Sequence, residues 1–367
     1  MTPTVHEFLN ADARDLRAIA DGSIDLVVTS PPYPMIAMWD DAFSAMSTDA
    51  ATALEREDGQ AAFEAMHTVL DDAWDECARV VRDGGIVCVN VGDAVRTVGR
   101  TFRLFPNHAR ILSSLAARGL EPLPLVIWRK PTNAPNKFMG SGMLPGGAYV
   151  TLEHEYVLVA RKGGPRRPSD EADRARRRRS AIFWEERNRW FSDLWSIVGT
   201  RQRMLPGLAR ERSGAFPLEL PHRLVAMYSW QGDTVLDPFG GTGTTTLAAI
   251  ALARNSVHAD TKDELVELAR ERAMDPGTRA VLAGLPAARL VAHEEYLATR
   301  AEPPAHRNAH LGLPVVTKQE TDLRLPAVEV VEARDGRAIA SYRDAPRREP
   351  RQLDLAPFDA DRDRRGE

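Results

Sequence analysis

The segment that most restricts what this chain can fold into runs from Thr234 to Thr245. Thr234-Val235-Leu236 is followed by Asp237-Pro238-Phe239-Gly240-Gly241-Thr242-Gly243-Thr244-Thr245 and then by an apolar stretch to about Arg254. A short apolar run, a glycine-rich turn and a helical stretch read as a strand feeding a helix. Glycines there let the backbone approach a ligand closely, and the helix start offers free N–H groups. A phosphate-binding P-loop needs Gly-Lys-Ser/Thr after four spacer residues, and the absence of lysine argues against NTP hydrolysis. A dinucleotide fingerprint needs Gly or Ala three residues past its second glycine, where Thr246 stands. A nucleoside-type cofactor on a related fold and a purely structural turn remain. The cofactor reading expects an acidic residue after the next strand to hold ribose hydroxyls, and Asp260 follows Ser256-Val257-His258-Ala259.

The rest of the chain fits such a turn. Ile24 to Thr29 reads as a strand ending in Ser30-Pro31-Pro32-Tyr33. Phe63, Met66, Leu70, Trp74, Cys77 and Val81 fall at helical spacing over residues 61–82, and Asp83-Gly84-Gly85 is expected to stop that helix. Ile86 to Val91 is nearly all apolar, as in a strand covered on both faces. A helix at 107–118, strands at Leu123–Trp128 and Glu153–Ala160, and a helix bearing Leu220, Leu224 and Met227 follow. Alternating strands and helices predict an α/β fold with a doubly wound, mostly parallel sheet. Near the end, Val328–Glu332 and Ala338–Tyr342 flank Asp335-Gly336, a predicted hairpin.

Charge is informative only when divided. The 367 residues carry 48 basic and 52 acidic side chains, a formal −4 that by itself argues against a nucleic-acid binder. Residues 161–212, however, hold 15 basic and 7 acidic side chains, so a +8 segment sits on a −12 remainder. That segment includes Arg176-Arg177-Arg178-Arg179 and the aromatics Phe183, Trp184, Trp190, Phe191 and Trp195. Of the basic residues 43 are Arg and 5 are Lys, which codon bias alone could produce, so placement matters more than the total. The two cysteines exclude a disulfide framework and a cysteine-built zinc site. No apolar run reaches the ~18 residues of a membrane helix, and the start lacks a secretory pattern. A cytoplasmic enzyme without metal or membrane attachment is the expectation.

Ser30-Pro31-Pro32-Tyr33 lies at a strand's end, where open α/β sheets bind ligands. Two prolines stiffen the turn and leave carbonyls and the Ser30 hydroxyl facing whatever docks. This tetrapeptide and the glycine loop together resemble the amino-methylating DNA methyltransferases, over roughly residues 8–275. Asn10-Ala11-Asp12-Ala13 resembles the segment upstream of the catalytic motif, and Ile127-Trp128-Arg129-Lys130-Pro131 the Trp-x-Lys-Pro strand end. His154 to Val159 resembles the next family strand, and Phe216-Pro217-Leu218-Glu219-Leu220-Pro221 the segment binding the cofactor's methionine part. The family commonly has a histidine just upstream of that segment; here Arg212, Ser213 and Gly214 stand there. The order, tetrapeptide first and cofactor loop last, is that of the permuted β group.

The resemblance implies a Rossmann-like methyltransferase fold with a catalytic half at 1–130, a target-recognition and DNA-contact region at 131–212 and a cofactor half at 213–298; the seven prolines and many charges from Thr299 onward add the expectation of a small, partly disordered appendage at 299–367. It implies S-adenosyl-L-methionine as cofactor, held by Asp12, Phe216, Pro217, Asp237, Pro238, Phe239, Gly240, Gly241, Thr242, Gly243, Thr244 and Asp260. Ser30, Pro31, Pro32 and Tyr33 become the catalytic group, with Lys130, Arg166, Arg167 and Arg176 to Arg179 as DNA contacts. The implied partners are double-stranded DNA and a cognate restriction endonuclease; monomer and dimer both stay open. An exocyclic amine is a poor nucleophile because its lone pair is delocalised into the ring. The Ser30 hydroxyl and Pro31 carbonyl can accept its two N–H groups and aim the lone pair at the methyl donor, with Tyr33 stacking on a flipped-out base. Methylation at cytosine carbon-5 needs a Pro-Cys nucleophile, which neither Cys77 nor Cys88 provides. Ser at the first tetrapeptide position resembles the cytosine-N4 enzymes, and Asp or Asn the adenine-N6 ones. Adenine-N6 transfer and a catalytically silent regulator with the same fold are the alternatives.

Overall fold

A computed structural model describes residues 1–130, 139–198 and 216–345. Its centre is a ten-stranded sheet made of β1 (Thr4–Asn10), β2 (Ile24–Thr29), β3 (Val81–Val91), β4 (Leu120–Arg129), β5 (His154–Lys162), β6 (Leu194–Ser196), β7 (Thr234–Asp237), β8 (Asn255–Asp260), β9 (Pro326–Arg334) and β10 (Arg337–Asp344). In space the order is β6-β4-β5-β3-β2-β7-β8-β1-β10-β9. All strands run the same way except β5 and β10. The sheet therefore has a carboxyl end and an amino end, and the order reverses at β2 and β7, whose carboxyl ends carry the tetrapeptide and the glycine loop.

The helices are α1 (Asp40–Met46), α2 (Thr48–Glu55), α3 (Gly59–Val80), α4 (Asn107–Ala117), α5 (Glu171–Arg179), α6 (Trp184–Trp190), α7 (Glu219–Tyr228), α8 (Thr244–Ala251), α9 (Asp263–Met274) and α10 (Pro276–Ala298). Phe63, Met66, Leu70, Trp74 and Cys77 of α3 pack on Val27, Val87 and Val89 on one sheet face. Leu220, Leu224 and Val225 of α7, with Trp190 and Trp195, cover Leu26, Val28 and Cys88 on the other. Both faces are thus buried, which explains the continuous apolar runs in β2 and β3. The expected stop at Asp83-Gly84-Gly85 falls later than the real one. Helix α3 ends at Val80, Val81 is already extended, and the glycines form an irregularity within β3 instead.

Two boundaries drawn from the sequence move. The strand His154–Lys162, assigned to the target-recognition region, lies inside the sheet between β3 and β4. The predicted C-terminal hairpin is present, with Asp335 and Gly336 at positive φ as its turn requires. It is no appendage, because β10 pairs with β1 and extends the sheet. The Tyr342 hydroxyl meets Thr4 Oγ1 at 2.6 Å in the buried seam. Residues 346–367 lie outside the described ones.

Candidate active site

The two motifs meet through one buried carboxylate. Asp237, at the end of β7, is 3% exposed. It accepts 2.7 Å hydrogen bonds from Thr29 Oγ1, just before the tetrapeptide, and from Thr245 Oγ1, in the first turn of α8. The Phe239 N–H adds a third at 3.2 Å. Burial, with only hydroxyls and an N–H to compensate, raises this carboxyl to about 6. Asp237 was expected among the cofactor ligands. Its oxygens are instead turned inward, and it fixes the distance between catalytic turn and glycine loop.

The loop itself is shaped by what lies beneath it. A side chain at Gly240 would drive its Cβ to 2.2 Å from the buried His258 ring, and one at Gly243 would meet Ala269 at 2.8 Å. Gly243 also has φ +79°, favourable for glycine alone. The Gly241 N–H donates to Asp260 Oδ2 at 3.0 Å, and Lys262 N–H to Asp260 Oδ1 at 3.0 Å. Asp12 follows β1, where Ala11 N–H donates to the Asp260 carbonyl; its carboxylate is held by Arg14 at 2.7 Å. The Arg14 pair and the Arg14 N–H hold that carboxyl below its usual value. Helix α8 starts at Thr244 with no side-chain cap, and Thr242 Oγ1 is buried without a protein partner among the described residues. An uncapped helix start and an orphaned hydroxyl above a floor that excludes side chains fit a nucleoside-type ligand. Phe216, Pro217 and Pro238 are buried, and Phe239 is half-buried with its ring 6.2 Å from Trp74.

At the tetrapeptide, Pro31 is buried and Pro32 half-buried. Tyr33 is half-buried, and its hydroxyl is the hub of a polar cluster. It donates to Glu155 Oε2 at 3.0 Å, accepts from Asn90 Nδ2 at 2.9 Å and lies 3.1 Å from Ser30 Oγ. Burial and the Glu155 carboxylate raise the phenol well above its ordinary value, so it stays protonated. Asn90 Nδ2 also donates to Glu155 at 2.7 Å, while Asn90 Oδ1 is buried and unpartnered among the described residues. Tyr33 has one proton, and Glu155 takes it. Ser30 must therefore donate to Tyr33, which leaves the serine's lone pairs as acceptors facing outward.

Neither Asn90 nor Glu155 was singled out from sequence. Asn90 carried a usable signal, as the one polar side chain in the apolar run Ile86–Val91. Lys130, expected on DNA, instead pairs with Glu155 and lies 4.4 Å from the Trp128 ring. Both cysteines are buried, and burial pushes Cys77 up to about 12 and raises Cys88 as well, so neither offers a thiolate.

The arginines require a larger correction. Arg166 forms ion pairs with Asp233 at 2.5 Å and Asp25 at 3.3 Å and stacks 3.5 Å from the Trp230 ring centre. Arg176 reaches Asp233 at 2.6 Å and Asp173 at 3.2 Å. Arg178 pairs with Glu171 and Asp322, and the Arg179 carbonyl accepts from Arg324 N–H. Arg167 and Arg177 are exposed. Asp25 and Asp233 precede or begin β2 and β7, so this cluster packs at the amino end of the sheet, opposite the tetrapeptide. Residues 131–138 and 199–215, including Arg212, Ser213 and Gly214, lie outside the described residues. No helix among the described residues is long and apolar enough to cross a membrane, and no group of His, Cys, Asp or Glu among them could hold a metal.

Comparison with known proteins places this geometry. The family model described as DNA methylase, covering the N6 and N4 enzymes, matches residues 24–271. The type II methyltransferase M.MthZI of Methanothermobacter thermautotrophicus is 44% identical over 324 residues, 88% of this chain and 90% of that protein. M.MjaI of Methanocaldococcus jannaschii is 45% identical over 73% of this chain and 91% of its own. Among solved structures, TTHA0409 of Thermus thermophilus complexed with S-adenosyl-L-methionine is 33% identical, with a TM-score of 0.56 over 73% of this chain and 93% of that one. The cytosine-N4-specific PvuII DNA methyltransferase shares the fold at 18% identity and TM-score 0.51, over 75% of this chain and 90% of that one. The chain belongs to the N6/N4 DNA methylase family.

Proposed function

We propose that this DNA methylase transfers the methyl group of S-adenosyl-L-methionine to the exocyclic N4 amine of cytosine within a short duplex sequence. The observation that carries the proposal is the wiring of Ser30. A serine at the head of the tetrapeptide resembles the cytosine-N4 branch, and its proton is directed at Tyr33, which leaves it an acceptor for the amine.

When bound, the cofactor supplies an electrophilic methyl group on a sulfonium. Its proposed holders are Thr242 and the uncapped start of α8 at Thr244, with Gly240, Gly241 and Gly243 giving close backbone approach. Asp260 and Asp12 lie where ribose hydroxyls and adenine would be met, and Phe216, Pro217, Pro238 and Phe239 form apolar surface. The chain's own residues do the rest by positioning. Ser30 Oγ and the Pro31 carbonyl accept the amine's N–H groups, which frees its lone pair for in-line attack. The base leaves the duplex stack to reach them, at a cost of a few kcal/mol offset by the pocket, with Tyr33 as the stacking surface. The proton released by the amine travels along Ser30 and Tyr33 toward Glu155, the carboxylate on that path. Asn90 and Lys130 hold Glu155 in place.

The test is to incubate the protein and cofactor with DNA lacking modified bases, digest the product to nucleosides and separate them by mass. N4-methylcytosine is the expected product, and N6-methyladenine alone would reject the cytosine assignment. Sequencing the modified DNA then reads out the target sequence.

A further inference from the structure

With the arginine run at the amino end, a duplex delivering a base to Ser30 needs another surface. Two segments rise from the carboxyl end beside the tetrapeptide. One is a hairpin of strands Ala94–Val98 and Thr101–Phe105, between β3 and α4. Its foot is anchored in the site, because Phe105 is buried and Asn107 Nδ2 donates at 3.0 Å to both the Pro34 and the Gly92 carbonyls. The other contains Ala148–Tyr149, between β4 and β5. The Phe102 and Tyr149 rings join the two, stacked with centroids 4.8 Å apart and planes 29° apart.

What this pair presents outward is unusual for a soluble surface. Phe102 is 37% exposed, Leu104 48% and Tyr149 51%. Residues 94–105 contain Arg96, Arg100 and Arg103 and no acidic residue. Arg96 is bound to Asp40 at 2.6 Å. Arg100, in the hairpin turn, and Arg103 are exposed without an ion pair among the described residues; Arg103 donates to Gln60 Oε1 at 3.3 Å and lies 6.0 Å over the Phe105 ring, on the strand face opposite Phe102. Arginines without ion pairs on a hairpin that also bears exposed aromatic rings combine phosphate attraction with base or groove contact.

We propose that this hairpin and the Tyr149 segment form the lip on which duplex DNA rests, with Arg100 and Arg103 on phosphates and the Phe102–Tyr149 stack against the duplex beside the extruded base. The proposal rests on DNA being the substrate. Charge favours a nucleic acid over a protein partner, since the hairpin's own side chains include cations and no anions, and the nearby Glu57 carboxylate lies against its Gly99 turn. Position decides for the substrate duplex, since the foot of the hairpin is hydrogen-bonded to the catalytic turn.

The experiment measures methyl transfer and binding with sheared, unmodified duplex DNA across a salt series, for wild type and for the variant R100Q/R103Q. The variant is expected to need roughly tenfold more DNA for half-maximal transfer, with the loss recovered by raising DNA concentration. Its slope of log affinity against log salt should fall by about two, one for each phosphate contact removed. Phe102→Ala with Tyr149→Ala should weaken binding while leaving the salt slope unchanged. Arg177→Gln, at the amino end, should match wild type throughout. A wild-type slope and DNA requirement in R100Q/R103Q, while wild type transfers methyl groups, would overturn the lip alone. Wild type that methylates no DNA would overturn the substrate reading and the lip together.

Discussion

Two buried aspartates bracket the four-residue strand β7, and they are held in opposite ways. Asp233, just before it, has a fully buried side chain bound by the Arg166 and Arg176 guanidiniums. Asp237, at its other end, is almost as buried yet has two threonine hydroxyls and an N–H for company. The amino end of the sheet is thus built on ion pairs, and Arg166 and Arg176 hold α5 and the chain around Trp230 in place, although Arg166 Nε is left without a partner among the described residues. The carboxyl end keeps unpartnered groups, Thr242 Oγ1 and Asn90 Oδ1, near a carboxylate that no guanidinium binds. Basic composition marks the first region and the proposed site the second. An arginine whose charge is matched by buried carboxylates attracts a phosphate less than a free one does, whereas an orphaned hydroxyl beside an uncapped helix still has a bond to make.

The largest expected effect tests the carboxyl end. Ser30→Ala removes the acceptor that aims the amine, and transfer should fall by about 10²–10³-fold, the range for loss of one preorganised polar group. Cofactor affinity, measured by calorimetry, should stay within about twofold of wild type, because no loop contact changes. A parallel loss of cofactor binding would mean that Ser30 shapes the loop rather than the substrate.

At the amino end the expected loss is in stability instead. Arg166→Ala takes one cation from Asp233 and Asp25 and uncovers Trp230. Breaking a buried ion pair by removing one partner costs about 3 kcal/mol, and Arg176 still covers part of it here. A denaturant titration should show that loss, while the salt slope of DNA binding stays at the wild-type value. A slope reduced by about one would return Arg166 to the DNA interface and erase the contrast between the two ends.

These two ends also mark what the sequence could and could not reveal. Ser30 to Tyr33 and Asp237 to Thr245 were legible because each is a local backbone device: a proline-stiffened turn and a turn that steric contact with His258 and Ala269 reserves for glycine. The parallel α/β sheet was legible from apolar runs separated by helical stripes. Glu155 was not, because its place beside Tyr33 depends on β5 entering the sheet antiparallel between β3 and β4, 122 residues along the chain from Tyr33. The hairpin β9–β10 was visible as a hairpin, but nothing local says that β1 would take it as a neighbour. The arginine run misled for the same reason. Its charge is a property of the segment, while the end of the sheet it packs on is decided by Asp25 and Asp233, far away in sequence.

The last expected effect concerns Asp237 and has a definite sign. Burial lifts its carboxyl from an ordinary 3.8 to about 6, so between those values the folded protein binds more protons than the unfolded chain. Stability from this group is therefore greatest below about pH 4, declines as pH rises to about 6, and is flat above. The whole decline amounts to roughly 3 kcal/mol at most. Asp237→Asn keeps an oxygen acceptor for Thr29 or Thr245 and carries no charge at any pH. The difference in unfolding free energy between the variant and wild type should accordingly shift in the variant's favour from pH 4 to pH 6. A difference that stays flat from pH 4 to pH 6 would mean that the two threonine hydroxyls and the Phe239 N–H compensate the buried carboxylate in full, and the contrast with the arginine-bound Asp233 would lose its electrostatic basis.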